Sequence, residues 1–431
     1  METMSTVEMQ IAKRSKEHPK EALTNLHSFI DIEMLHESFA SLNKKGASGV
    51  DGQTWNDYEE QREERIPQLL AAFKSGRYRA PAIRRVYIPK GDGKMRPLGL
   101  PTVEDKLLQT AVMRVLTPIY EQVFYDFSYG FRPGKSQHQA LGKLFEEVSF
   151  KGKRYIIDAD MKNYFGSINH QCLRDFLDQR IKDGVVRRQI NKWLKAGILE
   201  EGRLTYSKEG TPQGGSISPL LSNIYLHYVL DEWFKERIQP LLKGKSFIIR
   251  YADDFLLGFT DKEDANRVMK VLPKRLGKYG LTLNSEKTRL IELTDEGGKK
   301  GKTFDFLGFT HFIGKSRKGI PVLQRKTSSK KFNMSLKNMN EWLRNNRHKP
   351  IREIIYALNQ KLRGHYSYYG ITFNMRKIHS YYLQIKRMLY KWINRRGGKR
   401  IWNWESYTKL VEEWNPLEQP KIYHTSLLAK P

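Results

Sequence analysis

The spacing of apolar and polar residues predicts strands and helices that alternate along the chain up to about residue 315. Single strands, or strands joined by a turn, are predicted at 84–99, 155–161, 246–259, 281–293 and 304–312. Helices are predicted over the first 40 residues and at 102–124, 171–195, 220–234 and 263–276, the last with a kink at Pro273. This mixture indicates an α+β or α/β body, and we take α+β as the fold class.

The pattern changes after residue 315, where a basic helical region is predicted. Apolar residues there recur every three or four positions, as one buried stripe of a helix requires: Ile378, Tyr381, Tyr382, Ile385, Met388, Leu389, Trp392 and Ile393. The same helix carries a basic face formed by Lys377, Lys386, Arg387, Lys391 and Arg395. We therefore predict an N-terminal helical extension at 1–40, a body at 41–315, a basic helical domain at 316–400 and a tail at 401–431.

The charge of the chain is concentrated in this helical region. The 431 residues include 76 Lys or Arg and 47 Asp or Glu, for a net charge of +29. Residues 313–400 hold 23 of the bases and two of the acids, and so carry +21 of that charge. Apolar periodicity with concentrated charge favours a folded module that binds nucleic acid. A solvated basic face and an interfacial membrane helix are the alternatives.

Composition excludes several other classes of protein. A hydrophobic fraction of 39% is too high for a disordered basic tail. The single cysteine, Cys172, excludes a disulfide framework and zinc sites built on paired cysteines. The N-terminus lacks the apolar stretch of a signal peptide, and no apolar run is long enough for a membrane span. We expect a cytoplasmic protein without a membrane partner.

Three carboxylates suggest a metal site. Asp253 and Asp254 lie at a predicted turn between two apolar strands, and Asp160 ends another apolar strand. Adjacent buried carboxylates repel one another, and a divalent cation such as Mg²⁺ removes that repulsion. Two such ions about 4 Å apart form the clamp used in phosphoryl transfer. The alternative is an ordinary solvated turn, in which Asp is common.

Two further segments favour the metal interpretation. Lys90 and Arg96 flank a Gly-Asp-Gly turn, where their charges could hold a triphosphate. The loop at 210–215 carries glycines that let the backbone approach a nucleotide closely. Four separate motifs of complementary chemistry thus indicate a nucleotide-transferring site.

These motifs resemble those of bacterial group II intron-encoded reverse transcriptases, also called maturases. The matching segments occur in the family's order over roughly residues 40–395: IPKGDGKMRPLGLPTVEDKLLQ, YGFRPGKSQHQAL, YIIDADMKNYFGSINH, GTPQGGSISPLLSNIYL, RYADDFLLGF, LTLNSEKT, FDFLGF and LNQKLRGHYSYYG. The resemblance implies a right-hand polymerase with fingers and palm, an all-helical thumb and a short C-terminal DNA-binding remnant.

The resemblance also implies roles for individual residues. Asp160, Asp253 and Asp254 would be the catalytic residues that bind two Mg²⁺ ions. The incoming dNTP would contact Lys90, Arg96, Phe165 and Gln213, although Tyr164 is one position from Phe165 and leaves the aromatic residue ambiguous. Primer and template would contact Arg132, Gly214, Gly215, Tyr251, Phe306, Leu307 and Gly308. Intron RNA would contact the thumb at Lys361, Arg363, Lys377, Lys386 and Arg387.

The sequence departs from the family pattern in two places. Gly166 follows Phe165 where members commonly have Asp, which leaves the packing at that strand end open. The HNH endonuclease domain of many relatives is not expected, because the chain stops soon after the thumb and has no cysteine pairs, so we expect no second-strand DNA cleavage. Asp158, two residues before Asp160, is expected to be a neighbour of the site and not a ligand.

The predicted function is RNA-directed DNA polymerisation, with a maturase role in group II intron splicing and retrohoming. The predicted partners are an RNA template, a DNA or RNA primer, dNTPs, the intron RNA and a DNA target site. Three alternatives stay open: a splicing cofactor that has lost polymerisation, a reverse transcriptase recruited to antiviral defence, and a basic structural protein.

Overall fold

The fold was analysed in a computed structural model that describes residues 5–89, 95–200, 203–206, 209–210, 214–294, 302–396, 402–414 and 416–425. Two predicted site residues, Lys90 and Gln213, lie outside these ranges. Within them, no helix combines the length and the apolar character needed to cross a membrane.

Helices make up most of the described structure. In chain order the α-helices are α1 (Thr6–Glu17), α2 (Ile32–Ala40), α3 (Trp55–Glu60), α4 (Arg62–Lys74), α5 (Val103–Glu121), α6 (Gln137–Ser149), α7 (His170–Asp178), α8 (Gly184–Leu194), α9 (Ser218–Leu226), α10 (Lys262–Gly277), α11 (Ser329–Asn346), α12 (Ile351–Tyr369), α13 (Met375–Ile393) and α14 (Trp404–Lys409). Short 3₁₀ turns lie at Leu26–Phe29, Tyr164–Gly166 and Gln239–Leu241, and wider π turns at His227–Asp231, Trp233–Ile238 and Leu410–Trp414.

The strands form three small sheets. In chain order they are β1 (Ile83–Pro89), β2 (Met95–Leu100), β3 (Tyr155–Ala159), β4 (Ile198–Glu200), β5 (Arg203–Thr205), β6 (Ser246–Tyr251), β7 (Asp254–Phe259), β8 (Arg289–Glu292), β9 (Phe304–Phe306), β10 (Phe309–Lys315) and β11 (Pro321–Thr327). The sheet orders are β2-β1-β4-β5, β6-β7-β3-β8 and β11-β10-β9. The antiparallel pairs β1–β2, β6–β7 and β9–β10 confirm the predicted hairpins.

Local chemistry explains where several helices begin. The Thr102 side chain accepts a hydrogen bond from the Asp105 amide and so caps α5, which confirms the helix predicted at 102–124. The single helix predicted at 171–195 is wrong, because Asp183 caps a second helix there by accepting from the amides of Val185 and Val186. The chain thus forms α7 and α8 separately. The helix α10 is confirmed and contains Pro273.

The chain divides into two compact units, both discontinuous in sequence. Unit 1 comprises residues 1–136 and 157–290, and unit 2 comprises 137–156 and 291–431. Unit 1 contains nearly all of the sheet β6-β7-β3-β8, whose central strands are buried. Unit 2 contains the sheet β11-β10-β9 and the helices α6 and α11–α14.

The predicted stripe of α13 is the core of unit 2. Ile378, Ile385, Leu389 and Ile393 are each at most 1% exposed, and they pack in one cluster with residues of α11 and α12. The prediction of an all-helical region at 316–400 is wrong at its start, because β11 pairs with β10 along its whole length. The helices begin at Ser329.

Candidate active site

The hairpin β6–β7 presents Asp253 and Asp254 at its turn. Tyr251 pairs with Asp254, so Ala252 and Asp253 form a two-residue turn between the strands. Such turns require a positive φ, and Ala252 adopts φ 57°. A non-glycine residue in this conformation is strained by about 1–3 kcal/mol, so the surrounding structure has to hold it. Asp253 and Tyr251 are half-buried, while Asp254 is exposed.

Asp160 follows β3, the strand next to β7 in the same sheet. One of its carboxylate oxygens accepts a hydrogen bond from Asn284 Nδ2 at 3.2 Å and lies 2.9 Å from Lys287 Nζ. The backbone carbonyl of Asp160 accepts from the Asn284 amide at 2.8 Å. The segment around Asn284 therefore fixes this strand end and partly neutralises its carboxylate.

Asp160, Asp253 and Arg96 belong to one electrostatic site. Burial raises the pKa of Asp253 above its usual value, and the negative charge of Asp160 raises it further. The positive charges of Arg96 and Arg250 act in the opposite direction and lower the pKa. One other predicted carboxylate and one predicted triphosphate contact thus both lie within electrostatic reach of Asp253.

The donor chemistry of this site fits a hard cation such as Mg²⁺. Carboxylate oxygens are the ligands that Mg²⁺ takes from proteins, and a cation would relieve the repulsion between Asp160 and Asp253. Among the residues that the structure describes, no three Asp, Glu, His or Cys side chains converge on one metal position. Asp160 and Asp253 would hold the metal, with Asp254 exposed at the start of the adjoining strand.

A buried ion pair supports the turn that carries Asp253. The Arg250 and Asp231 side chains are both fully buried, and Arg250 donates to the two carboxylate oxygens at 2.8 and 2.6 Å. Arg250 Nη1 donates to Asn223 Oδ1 at 2.8 Å and to the carbonyl of Ala252 at 3.1 Å. The guanidinium thus contacts the strained residue directly and holds the turn in place.

The structure distinguishes Phe165 from Tyr164. Tyr164 is 2% exposed, and its hydroxyl donates to the Ser222 carbonyl at 2.7 Å, so this side chain belongs to the core. Phe165 is half-exposed on the same 3₁₀ turn. Of the two rings, the Phe165 ring is the one available to a ligand.

The turn that carries Phe165 is attached to the start of the glycine loop. Gly210 adopts φ 91°, and a Cβ atom there would lie 2.9 Å from both Gly166 Cα and the Phe165 carbonyl oxygen. The Gly210 amide donates to the Ile168 carbonyl at 2.8 Å, and His170 Nε2 lies 2.6 Å from the Gly210 carbonyl oxygen, to which it donates. Gly166, the departure from the family pattern, therefore stands where two backbones pack against each other.

The last two glycines of this loop, Gly214 and Gly215, pack closely against other residues of unit 1. Gly214 has φ 118°, and a Cβ atom there would lie 2.1 Å from the carbonyl oxygen of Gly99. A Cβ atom on Gly215 would meet Gln109 Oε1 at 2.8 Å. Gly214 therefore requires glycine, because its close contact is with backbone, whereas the contact at Gly215 is with the end of a side chain.

The Arg132 side chain is buried and is bound by neighbouring residues of unit 1. Its guanidinium donates to the Glu121 carboxylate at 2.9–3.2 Å and to the carbonyls of Tyr125 and Ser128 at 2.7 and 2.9 Å. The side chain is only 4% exposed. This pairing corrects the prediction of a primer or template contact, because the buried guanidinium stabilises the loop at 125–132.

The predicted primer segment lies in unit 2. Phe306 pairs with Phe309, so Leu307 and Gly308 form a two-residue turn with φ 48° and 81°. The Tyr368 hydroxyl donates to the Leu307 carbonyl at 3.0 Å and fixes this turn on α12.

The five predicted thumb contacts differ in their surroundings. Arg363 pairs with Glu418 at 2.8 Å, and Lys386, whose side chain is 11% exposed, pairs with Glu412 at 2.5 Å. Lys361 and Lys377 lie over aromatic rings at 5.0 and 4.6 Å, and Arg387 is exposed. Intramolecular acids therefore neutralise two of the five.

Sequence reasoning assigned no role to four residues that build the site. Asn284 and Lys287 lie in the quoted segment LTLNSEKT, and Arg250 opens RYADDFLLGF. The match of these two segments to the family was therefore a signal that could have pointed to Asn284, Lys287 and Arg250. Asp231, the partner of Arg250, lies 19 residues away in a segment that carries no such signal.

Comparison with known proteins extends this picture. The model of the family "Reverse transcriptase (RNA-dependent DNA polymerase)" matches residues 88–311, and that of "Group II intron, maturase-specific domain" matches residues 330–408. The group II intron-encoded protein LtrA of Lactococcus lactis subsp. cremoris is 36% identical over 305 residues, which are 67% of this chain and 50% of the relative. The protein YkfC of Escherichia coli K12 is 32% identical over 65% of this chain and 80% of the relative. The chain spans half the length of the first of these relatives.

The two family matches follow one another along the chain: the reverse transcriptase match ends at residue 311 and the maturase match begins at residue 330. The reverse transcriptase match contains Asp160, Asp253 and Arg96, which the structure brings into one electrostatic site. The maturase match covers α11–α13 and the basic helical region. This chain therefore belongs to the reverse transcriptases of the group II intron maturase family.

Proposed function

We propose that this protein is an RNA-directed DNA polymerase that adds dNTPs to the 3′-hydroxyl of a primer annealed to RNA. The observation that carries the proposal is that Asp160, at the end of β3, and Arg96, on β2 of another sheet, both act electrostatically on Asp253 at the β6–β7 turn. A cluster of carboxylates beside an arginine is suited to a metal-bound triphosphate. The family assigns this chemistry to the reverse transcriptase fold of fingers, palm and thumb.

The charged residues of the site would bind the metal ions and the triphosphate, and the Phe165 ring would select the sugar by its shape. Asp160, Asp253 and Asp254 would hold two Mg²⁺ ions, which when bound supply the positive charge that activates the primer hydroxyl and stabilises the leaving pyrophosphate. Arg96 would bind the triphosphate, and Phe165 would exclude a ribose 2′-hydroxyl. Position and charge then account for catalysis without a side-chain nucleophile.

Contacts with primer and template form the second part of the proposal. Tyr251 and the glycines Gly214 and Gly215 would contact the strands near the catalytic turn, and the segment 306–308 would hold the primer end. Exposure at Gly214 and partial exposure of the turn at Leu307 and Gly308 support the proposal, because backbone at these positions can approach a nucleic acid closely. Lys90 and Gln213 complete the proposed dNTP contacts from outside the described residues.

Primer extension on an RNA template tests the polymerase directly. Wild type, Asp253→Asn and the control Asp175→Asn are compared with Mg²⁺ and dNTPs, since Asp175 is an exposed acid on α7. We expect extension by wild type and the control, and a loss of about 100- to 1,000-fold in Asp253→Asn, because the variant lacks a charge that would stabilise the transition state through the bound metal. No extension by a folded wild type that binds RNA would contradict the proposal and favour a splicing cofactor.

We also propose a maturase role in splicing and retrohoming of a group II intron. The maturase-specific match at 330–408 and the +21 charge of residues 313–400 support it. The intron RNA and a DNA target site would be the partners, with Lys361, Lys377 and Arg387 among the RNA contacts. Splicing of an intron that flanks the gene, assayed with and without the protein at low Mg²⁺, tests this role. A gene without intron RNA domains beside it would contradict it and favour a reverse transcriptase used for another purpose, such as defence.

A further inference from the structure

A basic cavity lies in unit 2 between strand β11 and the start of α13. Its volume is about 700 Å³, within the range of about 300–1,000 Å³ that is usual for ligand sites. Ten residues line it, of which five are bases and none is an acid. We call it the cationic cavity and define it by its bases, Lys315, Arg325, Lys326, Arg376 and Lys377.

The bases of the cationic cavity have no neutralising partner among the described residues. Elsewhere in the same unit, Arg363 and Lys386 form ion pairs with Glu418 and Glu412. In the cavity none of the five bases has an ion pair with any acid that the structure describes. Like charges around one concave surface repel each other and attract an anion.

Arg325 is the least expected of these bases, because its side chain is fully buried. Its Nη1 donates to the Leu141 carbonyl at 3.3 Å, and the guanidinium lies 5.6 Å from the centre of the Phe145 ring. Its Nε and Nη2 have no hydrogen-bond partner within the described ranges. A buried charge without a counter-ion destabilises a fold, so a bound anion nearby would stabilise this one.

A strained aromatic residue forms part of the cavity wall. Phe373 adopts φ 75°, which is unfavourable for a bulky side chain. The next residue holds it there: Asn374 Nδ2 donates to the Tyr369 carbonyl at 2.8 Å and to Thr327 Oγ1 at 2.9 Å, and Asn374 Oδ1 accepts from the Thr327 amide at 2.7 Å. Backbone strain of this kind is often found at binding and active sites. Phe312 supplies a second ring to the wall.

We propose that the cationic cavity binds a segment of single-stranded RNA, with phosphates beside its exposed bases Lys315, Lys326 and Arg376 and a nucleobase against the ring of Phe373 or Phe312. The combination of cations and aromatic rings suits a strand, because an unstacked base can lie on a ring while its phosphates meet Lys or Arg. The concave wall argues against a flat membrane surface as the partner. The choice of RNA among polyanions rests on the proposed function.

RNA binding without catalysis tests this proposal. Fluorescence anisotropy with a labelled single-stranded RNA oligonucleotide, without dNTP or Mg²⁺, compares wild type with the double variant Lys326→Ala/Arg376→Ala. The control Lys270→Ala/Lys274→Ala removes the same charge from exposed positions on α10 of unit 1. We expect about tenfold weaker binding in the cavity variant and a salt dependence reduced by one to two phosphate contacts. The control is expected to bind like wild type.

Competition separates a strand from a small anion. We expect unlabelled RNA to displace the probe, and inorganic phosphate or dATP at the same phosphate concentration to leave it bound. Equal affinity and salt dependence in the cavity variant and the control would overturn the proposal. Displacement by phosphate or dATP as effective as by RNA would also overturn it, in favour of a small-anion site. Since the assay contains no dNTP substrate for extension, an inactive polymerase would not alter its result.

Discussion

Single buried residues fix the turn that carries Asp253 and Asp254. Ala252 is held at a positive φ by a hydrogen bond from Arg250, and Arg250 is held by the fully buried Asp231. A buried ion pair adds little net stability when intact, but loss of one partner leaves the other charge without compensation. The main effect of the pair is therefore to hold the turn at Ala252 and Asp253 in position.

The first prediction concerns this pair. Replacement Asp231→Ala leaves the Arg250 guanidinium buried without its counter-ion, and we expect a loss of about 3–5 kcal/mol in the free energy of unfolding. Urea unfolding followed by tryptophan fluorescence measures it. The control Glu418→Ala breaks the exposed pair with Arg363, and its unfolding midpoint should stay close to that of wild type. Equal midpoints for the two variants would contradict the assigned role.

The second prediction concerns the contact of Gly210 with the Phe165 turn. In Gly210→Ala the new methyl group would collide with the backbone of Gly166, so the Phe165 ring has to move. If Phe165 excludes ribonucleotides, we expect the ratio of kcat/KM for dNTP over rNTP to fall by about tenfold, since small displacements in an active site have large effects.

Single-nucleotide extension with dCTP and CTP measures this ratio. Gly277→Ala is the matched control, because a Cβ atom at that position meets no other atom within 4 Å. We expect the control to discriminate like wild type. Unchanged discrimination in a folded, active Gly210→Ala variant would show that the Phe165 turn tolerates the displacement.

At the scale of elements, the sheet β11-β10-β9 contains a buried polar pair. His311 on β10 lies opposite Arg325 on β11, and its ring stacks on Phe304 at 5.0 Å. Burial, and then the positive charge of Arg325, lower the pKa of His311 to about 3. The histidine therefore stays neutral in the folded sheet.

The third prediction follows from this shift. In the unfolded chain His311 has a pKa near 6.5, so that state binds a proton that the folded state rejects between about pH 6.5 and 3. The contribution of His311 to stability is complete above pH 6.5 and is lost as the pH falls through this window, by up to about 1.4 kcal/mol per pH unit. Urea unfolding at pH 7.5 and 5.5 measures the loss.

The variant His311→Gln removes the titrating group from β10. We expect its stability to fall less between pH 7.5 and 5.5 than that of wild type. Buried His227 and His365, whose pKa values are lowered to about 3 and 4, keep part of the dependence in both proteins. Equal pH dependence in the variant and wild type would contradict the prediction for His311.

The elements also show what the sequence could predict. The hairpins β1–β2 and β6–β7 followed from apolar strands around tight-turn residues, since those signals are local. The break between α7 and α8 was missed because the capping role of Asp183 depends on a side-chain hydrogen bond within one turn. Strand β11 was missed because its charged residues, Arg325 and Lys326, resemble the basic helix that follows.

The candidate site was predictable to a similar extent. The three aspartates stood out because adjacent acids between apolar strands are chemically unusual, and the structure relates Asp160 to Asp253 electrostatically. Arg132 was misjudged because sequence cannot reveal that Glu121 and two carbonyls already bind its guanidinium. The same limit hid Asp231, whose partner is distant in sequence.

At the scale of the whole molecule, charge dominates the expected binding to nucleic acid. Residues 313–400 carry +21 of the net +29, and most of that segment folds as α11–α13. Cations on a folded surface release counter-ions from a nucleic acid when they bind it, so affinity falls steeply with salt.

The fourth prediction is that primer extension depends on salt through KM. At subsaturating template-primer we expect the rate to fall on the order of a hundredfold between low and physiological KCl, since several phosphate contacts are weakened together. At saturating template-primer we expect kcat to change little. Steady-state kinetics at several KCl concentrations separate the two, with thermal unfolding as a check that the fold persists. A fall in kcat at constant KM would contradict the prediction.

The discontinuity of unit 2 has a consequence for the order of folding during synthesis. Helix α6 leaves the ribosome early, yet it belongs to a unit whose other residues begin at 291. Until they emerge, the apolar face of α6 lacks the residues that cover it in the folded protein. This face consists of Ala140, Leu141, Leu144, Phe145 and Val148. A chain that ends at residue 290 would keep that face uncovered, and so would be prone to chaperone capture and aggregation even though Asp160, Asp253 and Asp254 are all present.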